Sequence, residues 1–161
     1  MRRPFILLLF VAACVLFGGC TPHTDYLAPL RGDFEADISG EINGVEFFAL
    51  CAVQTGENGE KTVTLTFYAP DALADTVIKR GGDGEITLSA GEVTVTDPHG
   101  GAAPLFDLLC PTHEVLQASL DGEGHTKVTG DGFCVTLLAD GTPYLLEGYG
   151  ARITVIRFAA A

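Results

Sequence analysis

The sequence predicts a mainly β protein: a single antiparallel sheet, curved into a half-barrel-like meander, with one short helix packed on it. Three observations support this fold class. Short segments alternate apolar and polar residues, as residues 61–68 do; turn pairs such as Asp121-Gly122 separate them; and residues 103–109 have helical spacing instead. Alternation with a period of two indicates a strand with one buried face, whereas apolar residues at i, i+3 and i+4 indicate a helix.

A leader segment precedes the predicted sheet. Arg2 and Arg3 are followed by an apolar stretch over residues 5–17, by two glycines and by Cys20. A basic start, an apolar centre and small residues before a cysteine are typical of a bacterial lipoprotein signal. We therefore predict a signal peptide over residues 1–19 and lipidation of Cys20. The lipid would anchor the protein to the cell membrane on its extracytoplasmic side.

Other interpretations of the leader remain open. Its apolar run is about 13 residues long, short of the ~20 that span the hydrocarbon core, which disfavours a permanent transmembrane helix. Secretion without lipid and an uncleaved anchor are the alternatives, and Cys14 lies in a weaker second site of the same kind. The resemblance to bacterial lipoproteins implies a thioether-linked diacylglycerol on Cys20, whose two acyl chains suffice for stable anchoring.

The chain after the leader divides into a tether and one domain. Residues 20–33 contain two prolines and no periodicity, which predicts a lipidated tether before an antiparallel β domain over residues 34–161. Asn43-Gly44 predicts a type I′ turn between the first two strands. The strands predicted before the helix are residues 34–38, 45–53, 61–68, 76–79, 85–88 and 92–96.

The predicted helix covers residues 103–109. Pro104 suits the first helical turn and Pro111 ends the helix. So short a helix needs a sheet to lie on. Its apolar face consists of Leu105, Leu108 and Leu109. Strands resume at residues 114–120, 125–129, 133–138, 144–148 and 152–158, which completes a meander of about ten strands.

The order of these elements resembles the LolA-like half-barrel of bacterial lipoproteins and lipoprotein carriers. The resemblance rests on the first two strands, the segment 65–73, the hairpin 83–88, the helix, and the closing segments 140–144 and 153–158. It implies an antiparallel sheet curled around a short helical lid, with a cavity that takes acyl chains. No catalytic or binding residue is carried over from it.

Composition excludes several kinds of function. The formal net charge is −12 and the acidic residues are scattered, so no basic face exists and we predict no nucleic-acid partner. Cys51, Cys110 and Cys134 lie in apolar contexts without CxxC spacing, which argues against a zinc or thioredoxin-type site. Three buried thiols, or one disulfide with an odd thiol, are both compatible with this pattern.

No motif predicts catalysis, a metal or a cofactor. A metal pair of His99 and His113, and a nucleophile built from Cys110 and His113, are weak possibilities, because loop histidines are usually solvated and a reactive thiol needs an exposed site. His23 and His125 carry no motif. One set of apolar residues could line a cleft, although its default role is core: Phe47, Phe48, Leu105, Phe106, Leu108 and Phe133.

Two functions follow from these predictions. The first is a membrane-anchored extracytoplasmic lipoprotein that binds a lipid or another apolar ligand in the concave face of the sheet. The alternative is a non-enzymatic structural or protein-interaction module of the cell envelope with a filled core. Whether the concave face is void or filled separates the two.

Overall fold

In the residues that the structure describes, the fold is a single open antiparallel sheet with two short helices. A computed structural model describes residues 24–42, 44–97 and 100–161. The helices are α1, Ala28–Arg31, and α2, Ala103–Leu109. The strands are β1 Phe34–Ile42, β2 Val45–Thr55, β3 Lys61–Ala69, β4 Thr76–Arg80, β5 Ile86–Ala90, β6 Val93–Thr96, β7 Val115–Leu120, β8 Thr126–Gly130, β9 Phe133–Leu137, β10 Pro143–Gly148 and β11 Ala151–Ala160. The predicted fold class is confirmed.

The sheet has two arms on either side of β1. Its order is β6-β5-β4-β3-β2-β1-β11-β10-β9-β8-β7. We call β2–β6 the first arm and β7–β11 the second arm. The chain moves outward from β1 to β6, passes through α2, and returns from β7 to β11. There β11 pairs with β1 along nearly its whole length, from Phe34 opposite Ala160 to Ile42 opposite Ala151.

Hairpin turns connect neighbouring strands, as the sequence predicts. Asp121, Asp131 and Asp140 each lie in such a turn of the second arm. Asp121 accepts hydrogen bonds from the backbone N–H groups of Glu123 and His125, and these bonds lower the pKa of its carboxyl. Asp140 accepts one from the N–H of Thr142 in the same way. The first hairpin also forms, with Ile42 opposite Val45, although Asn43 of its turn lies outside the described residues.

The predicted helix has the predicted bounds. Four residues of α2 are buried: Leu105, Phe106, Leu108 and Leu109. The helix contacts β10. Its N-terminus receives support from Asp97, whose carboxylate accepts a hydrogen bond from the backbone N–H of Ala102 at 3.2 Å. A helix of seven residues is marginal in water, so its burial against the sheet keeps it folded.

The predicted tether requires a correction. Residues 24–33 include α1, and Leu27 and Leu30 are fully buried in the core. Burying two leucine side chains contributes about 1.5–3 kcal/mol each. Arg31 also donates a hydrogen bond to the backbone oxygen of His113, and the ammonium of Lys61 donates one to the backbone oxygen of Arg31. The packed body therefore begins before Phe34. A single helical turn is too short to show periodicity in the sequence.

Candidate functional site

An apolar pocket lies between the start of α2 and the concave face of the first arm. Its volume is about 260 Å³. Nearly all of its lining is apolar, and Thr76 and Asp97 supply the polar side chains. The lining consists of Ile42, Val45, Phe47, Phe67, Leu73, Thr76, Ile78, Leu88, Asp97, Gly101, Ala102 and Leu105.

The strands of the first arm supply the floor of the pocket. Registered pairs place Leu65, Ile78, Leu88 and Val95 in one row across β3, β4, β5 and β6. Leu65 is fully buried, Ile78 and Leu88 are half-buried, and Val95 is 51% exposed. Because exposure rises steadily toward the edge, the apolar surface of this arm extends beyond the part that α2 covers.

Phe47 forms one wall of the pocket because a glycine leaves room for its ring. A Cβ atom on Gly40 would lie 2.5 Å from the Phe47 Cζ atom. The ring therefore lies across β1 at a position where any side chain would displace it. Phe67 packs against the same ring edge-to-face, with centroids 5.5 Å apart. This pair supplies a rigid aromatic wall.

Arg80 holds α2 against the first arm. Its guanidinium forms an ion pair with Asp107 at 2.7 Å, donates a hydrogen bond to the backbone oxygen of Phe106 at 3.4 Å, and lies 5.3 Å from the centre of the Phe106 ring. The Arg80 side chain is 20% exposed, so water screens these contacts only partly. The contacts fix the distance between α2 and β4, and β4 contributes Ile78 to the pocket floor.

The concave face of the second arm is filled. The row that crosses β11, β10, β9 and β8 consists of Ile153, Leu146, Val135 and Val128, and all four side chains are fully buried. The concave face as a whole is therefore void on one arm and filled on the other.

The predicted cleft residues separate into three groups. Phe47 and Leu105 line the pocket. Phe106, Leu108 and Phe133 are buried core, as their default role predicts, whereas Phe48 is 48% exposed. Phe48 follows Phe47 in a strand, so the two rings point to opposite faces. Sequence reasoning did not single out the other large apolar residues of the pocket, although strand alternation already marked several as inward-facing: Ile42, Val45, Phe67, Leu73, Ile78 and Leu88.

The three cysteines of the described residues form no disulfide. Cys51 and Cys110 are buried, as predicted, and Cys134 is half-buried. Burial raises the pKa of the Cys51 thiol far above its ordinary value, and burial also raises the pKa of Cys110. Both thiols are therefore protonated at neutral pH, which is the wrong state for a nucleophile.

Other predicted positions are distributed as follows. Cys20, His23 and His99 lie outside the described residues. His113 is exposed, and its backbone oxygen accepts the hydrogen bond from Arg31. His125 lies 3.3 Å from Asp121 in the turn before β8. Across residues 24–42, 44–97 and 100–161, no three His, Cys, Asp or Glu side chains cluster closely enough to hold a metal ion. Within the same ranges, no helix is long and apolar enough to cross a membrane.

Comparisons with known proteins identify similar folds. No protein-family model matches the chain, and no curated protein matches it in sequence. A crystal structure of MucB is 17% identical, covers 89% of this chain and has a TM-score of 0.54. The chain spans 60% of the length of that MucB chain. A structure of MucB in complex with MucA(peri) is 19% identical over 85% of this chain and 55% of its own, with a TM-score of 0.46.

Two further structures have similar coverage of both chains. An uncharacterized conserved protein from Thermus thermophilus is 16% identical, covers 84% of this chain and 83% of its own, and has a TM-score of 0.50. A putative outer membrane lipoprotein-sorting protein domain from Vibrio parahaemolyticus is 10% identical over 81% and 86%, with a TM-score of 0.47. The fold assignment rests on the first MucB structure and the Thermus protein. The chain therefore has the half-barrel-like fold that its sequence predicts, an open antiparallel sheet curved around a short helix, and it shares this fold with those two proteins.

Proposed function

We propose that this protein is a membrane-anchored lipoprotein of the extracytoplasmic space that binds an apolar chain, such as a lipid acyl chain, in the pocket of the first arm. The observation that carries the proposal is the void between α2 and the row of Ile78 and Leu88. Its volume of about 260 Å³ lies just below the usual range for small-molecule pockets, about 300–1,000 Å³. A void of this size suits a single aliphatic chain better than a bulky polycyclic ligand.

The chemistry of the lining supports an apolar ligand. Aliphatic and aromatic side chains surround the void, and none of the described lining residues carries a positive charge. An anionic group would lack a partner inside and would remain in water, whereas burial of a hydrocarbon chain is favourable by about 0.8 kcal/mol for each CH₂. We therefore expect the ligand to enter with its apolar end and to leave any polar head outside.

The pocket and the N-terminal segment lie at opposite ends of β2. The N-terminal segment docks near the end of β2 and the start of β3, where Asp33 accepts a hydrogen bond from Thr55 and Lys61 contacts Arg31. The pocket lies at the other end of β2, beside Phe47. Roughly six residues of strand, or about 20 Å, separate Phe47 from Val53. A chain anchored through Cys20 would hold this pocket on the side away from its attachment point.

The proposal includes no reaction. The described lining residues of the pocket include no activated nucleophile, and the thiols of Cys51 and Cys110 are protonated in the core. The alternative, an interaction module with a filled core, is favoured by the second arm, where Val128 and Val135 are fully buried. MucB, whose fold is similar, has been solved in complex with MucA(peri), so a protein partner in the envelope is the second candidate.

Photocrosslinking in living cells tests both halves of the first proposal. Cells that express the full chain are grown with a fatty acid that carries a diazirine and an alkyne, irradiated, and the labelled peptides are mapped by mass spectrometry. We expect label at Cys20 with or without light, and light-dependent label on peptides that contain Phe67, Ile78 or Leu88. Label at Cys20 alone would support the anchor and overturn the pocket. Absence of label at Cys20 would overturn the anchor.

A pair of tryptophan variants controls this experiment. Leu88→Trp fills the pocket, and we expect it to abolish the light-dependent label. Ile156→Trp places the same ring at a position that is 61% exposed on β11 and should leave the label unchanged. The natural chain contains no tryptophan, so the fluorescence of each new ring also reports whether that variant is folded.

A further inference from the structure

The outer edge of β6 has unsatisfied hydrogen-bonding capacity. This strand is the last of the first arm, and among the described strands only β5 pairs with it. The backbone N–H of Asp97 donates to the oxygen of Ile86 at 2.8 Å. Hydrogen-bonded pairs alternate along an antiparallel ladder, so Val95 and Val93 also bond inward to β5. The backbone N–H and C=O groups of Thr94 and Thr96 therefore point outward.

The side chains of β6 leave this edge open. The hydroxyl of Thr94 pairs with that of Ser89 at 2.8 Å, and the hydroxyl of Thr96 donates to Glu85 at 2.9 Å, so both turn back toward β5. The strand has no proline, lysine or bulge, so its short length of four residues is the one device of this kind that protects the edge. At the opposite edge, β7 has a register shift between Val115 and Gln117. The two edges of the sheet therefore differ.

The apolar face of β6 continues the floor of the pocket. Val95 is opposite Leu88, and Val93 is opposite Ala90. Val93 is 65% exposed. An additional strand beside β6 would extend the row of Ile78, Leu88 and Val95 by one residue, and an apolar side chain there would cover Val95.

Charge distinguishes between the possible occupants of this edge. Glu92 precedes β6, and Glu85 lies against its last residue; in the part of the chain that the structure describes, no cation pairs with either. A second copy of this chain, with its formal net charge of −12, would bring the same carboxylates to the shared edge. Like charges across a strand pair are destabilising. A segment with basic residues at both ends would instead be attracted.

We propose that β6 is a docking edge for an extended peptide segment of a partner protein, which adds to the sheet as a twelfth strand. The segment bonds through its backbone to Thr94 and Thr96, places an apolar side chain beside Val95, and carries basic residues that face Glu85 and Glu92. None of the β6 residues lines the pocket, although the added strand would extend the apolar row that includes the lining residues Ile78 and Leu88.

Hydrogen exchange and peptide binding test this proposal on the lipidated full chain in nanodiscs. The probe is a fluorescent peptide of sequence Lys-Val-Thr-Val-Thr-Lys, titrated at low salt. We expect saturable binding, and slower amide exchange at Thr94 and Thr96 while Val95, already bonded to β5, is unchanged. Absence of binding, or protection that appears elsewhere, would overturn the proposal.

Two backbone changes, one in the protein and one in the peptide, distinguish strand addition from simple charge attraction. Thr94→Pro removes an outward N–H and no bond to β5, so we expect about tenfold weaker binding than for the matched Thr94→Ala. Because proline could disturb a short strand, a peptide N-methylated at alternate amides provides the same test on the unaltered protein and should not bind. Equal binding of the methylated peptide would exclude strand addition, and edge-dependent self-association of the protein would identify a second copy as the occupant.

Discussion

The two arms of the sheet have similar strands and different interiors. At equal distance from β1, β9 carries the fully buried Val135, whereas β4 carries the half-buried Ile78; one strand farther out, Val128 is fully buried and Leu88 is not. Helix α2 contacts β10 of the second arm, whereas Ala102 and Leu105 at its start line the pocket on the first arm. Position relative to this one helix, rather than the apolar content of the strands, determines where the void lies.

The largest expected effect comes from deleting core volume on the filled arm. Leu146→Ala should lower the free energy of unfolding by about 2–5 kcal/mol, because it leaves a cavity among packed neighbours. The same substitution on the open arm, Leu88→Ala, should cost roughly 1 kcal/mol, since that side chain already borders a void. Urea titration of both variants measures the difference. Equal losses would mean that the two arms are packed alike.

A substitution at Gly40 tests the tight contact between β1 and the Phe47 ring, which forms one wall of the pocket. Gly40→Ala places a Cβ atom against the Phe47 ring and 3.0 Å from the backbone oxygen of Arg152. We expect about 1–3 kcal/mol of destabilisation from overpacking, together with weaker ligand labelling as the ring moves into the pocket. Gly122→Ala is the control, because a Cβ atom there meets no atom within 4 Å. Thermal unfolding distinguishes the two variants, and equal midpoints would contradict the tight contact.

A smaller loss of stability is expected from removing the contacts that hold α2 to the first arm. Arg80→Met removes the ion pair with Asp107 and should cost about 1 kcal/mol, with faster amide exchange in α2. Arg157→Met breaks a pair with Asp37 of the same 2.7 Å length, but that arginine side chain is 66% exposed, so the cost should be within about 0.5 kcal/mol. Hydrogen exchange at Phe106 and Leu108 provides the measurement. Similar exchange in both variants would show that Arg80 does not hold the helix.

The smallest expected effect is a difference in how fast the cysteine thiols of the folded protein are alkylated. Burial raises the pKa of Cys51 and Cys110, so at about pH 8 the thiolate that iodoacetamide attacks is scarce at both positions. Cys134 is half-buried on β9 and should be alkylated first. Mass spectrometry over time gives the order of modification. Early labelling of Cys51 would indicate that the first arm opens more widely than its static pocket suggests, and Leu88→Trp should then slow that labelling.

The elements of the fold could be predicted because their signals are local. Alternation of apolar residues located the strands, aspartate-glycine pairs located turns, and Pro104 with three leucines located α2 to its correct bounds. The position of α1 could not be predicted in this way. Leu27 and Leu30 form a single helical turn, which is shorter than any periodic pattern, and only their burial against the sheet makes them part of the core.

The sequence by itself determined which face of each strand is apolar, because side chains alternate with a fixed period of two. For the consecutive residues Phe47 and Phe48, which face opposite ways in a strand, it did not indicate which ring is inside. The tertiary structure decided how deeply each apolar face is buried, since that depends on where α2 crosses the curved sheet. For this reason Val135 belongs to a filled core and Leu88 to the floor of a pocket, although both occupy inward positions of similar strands.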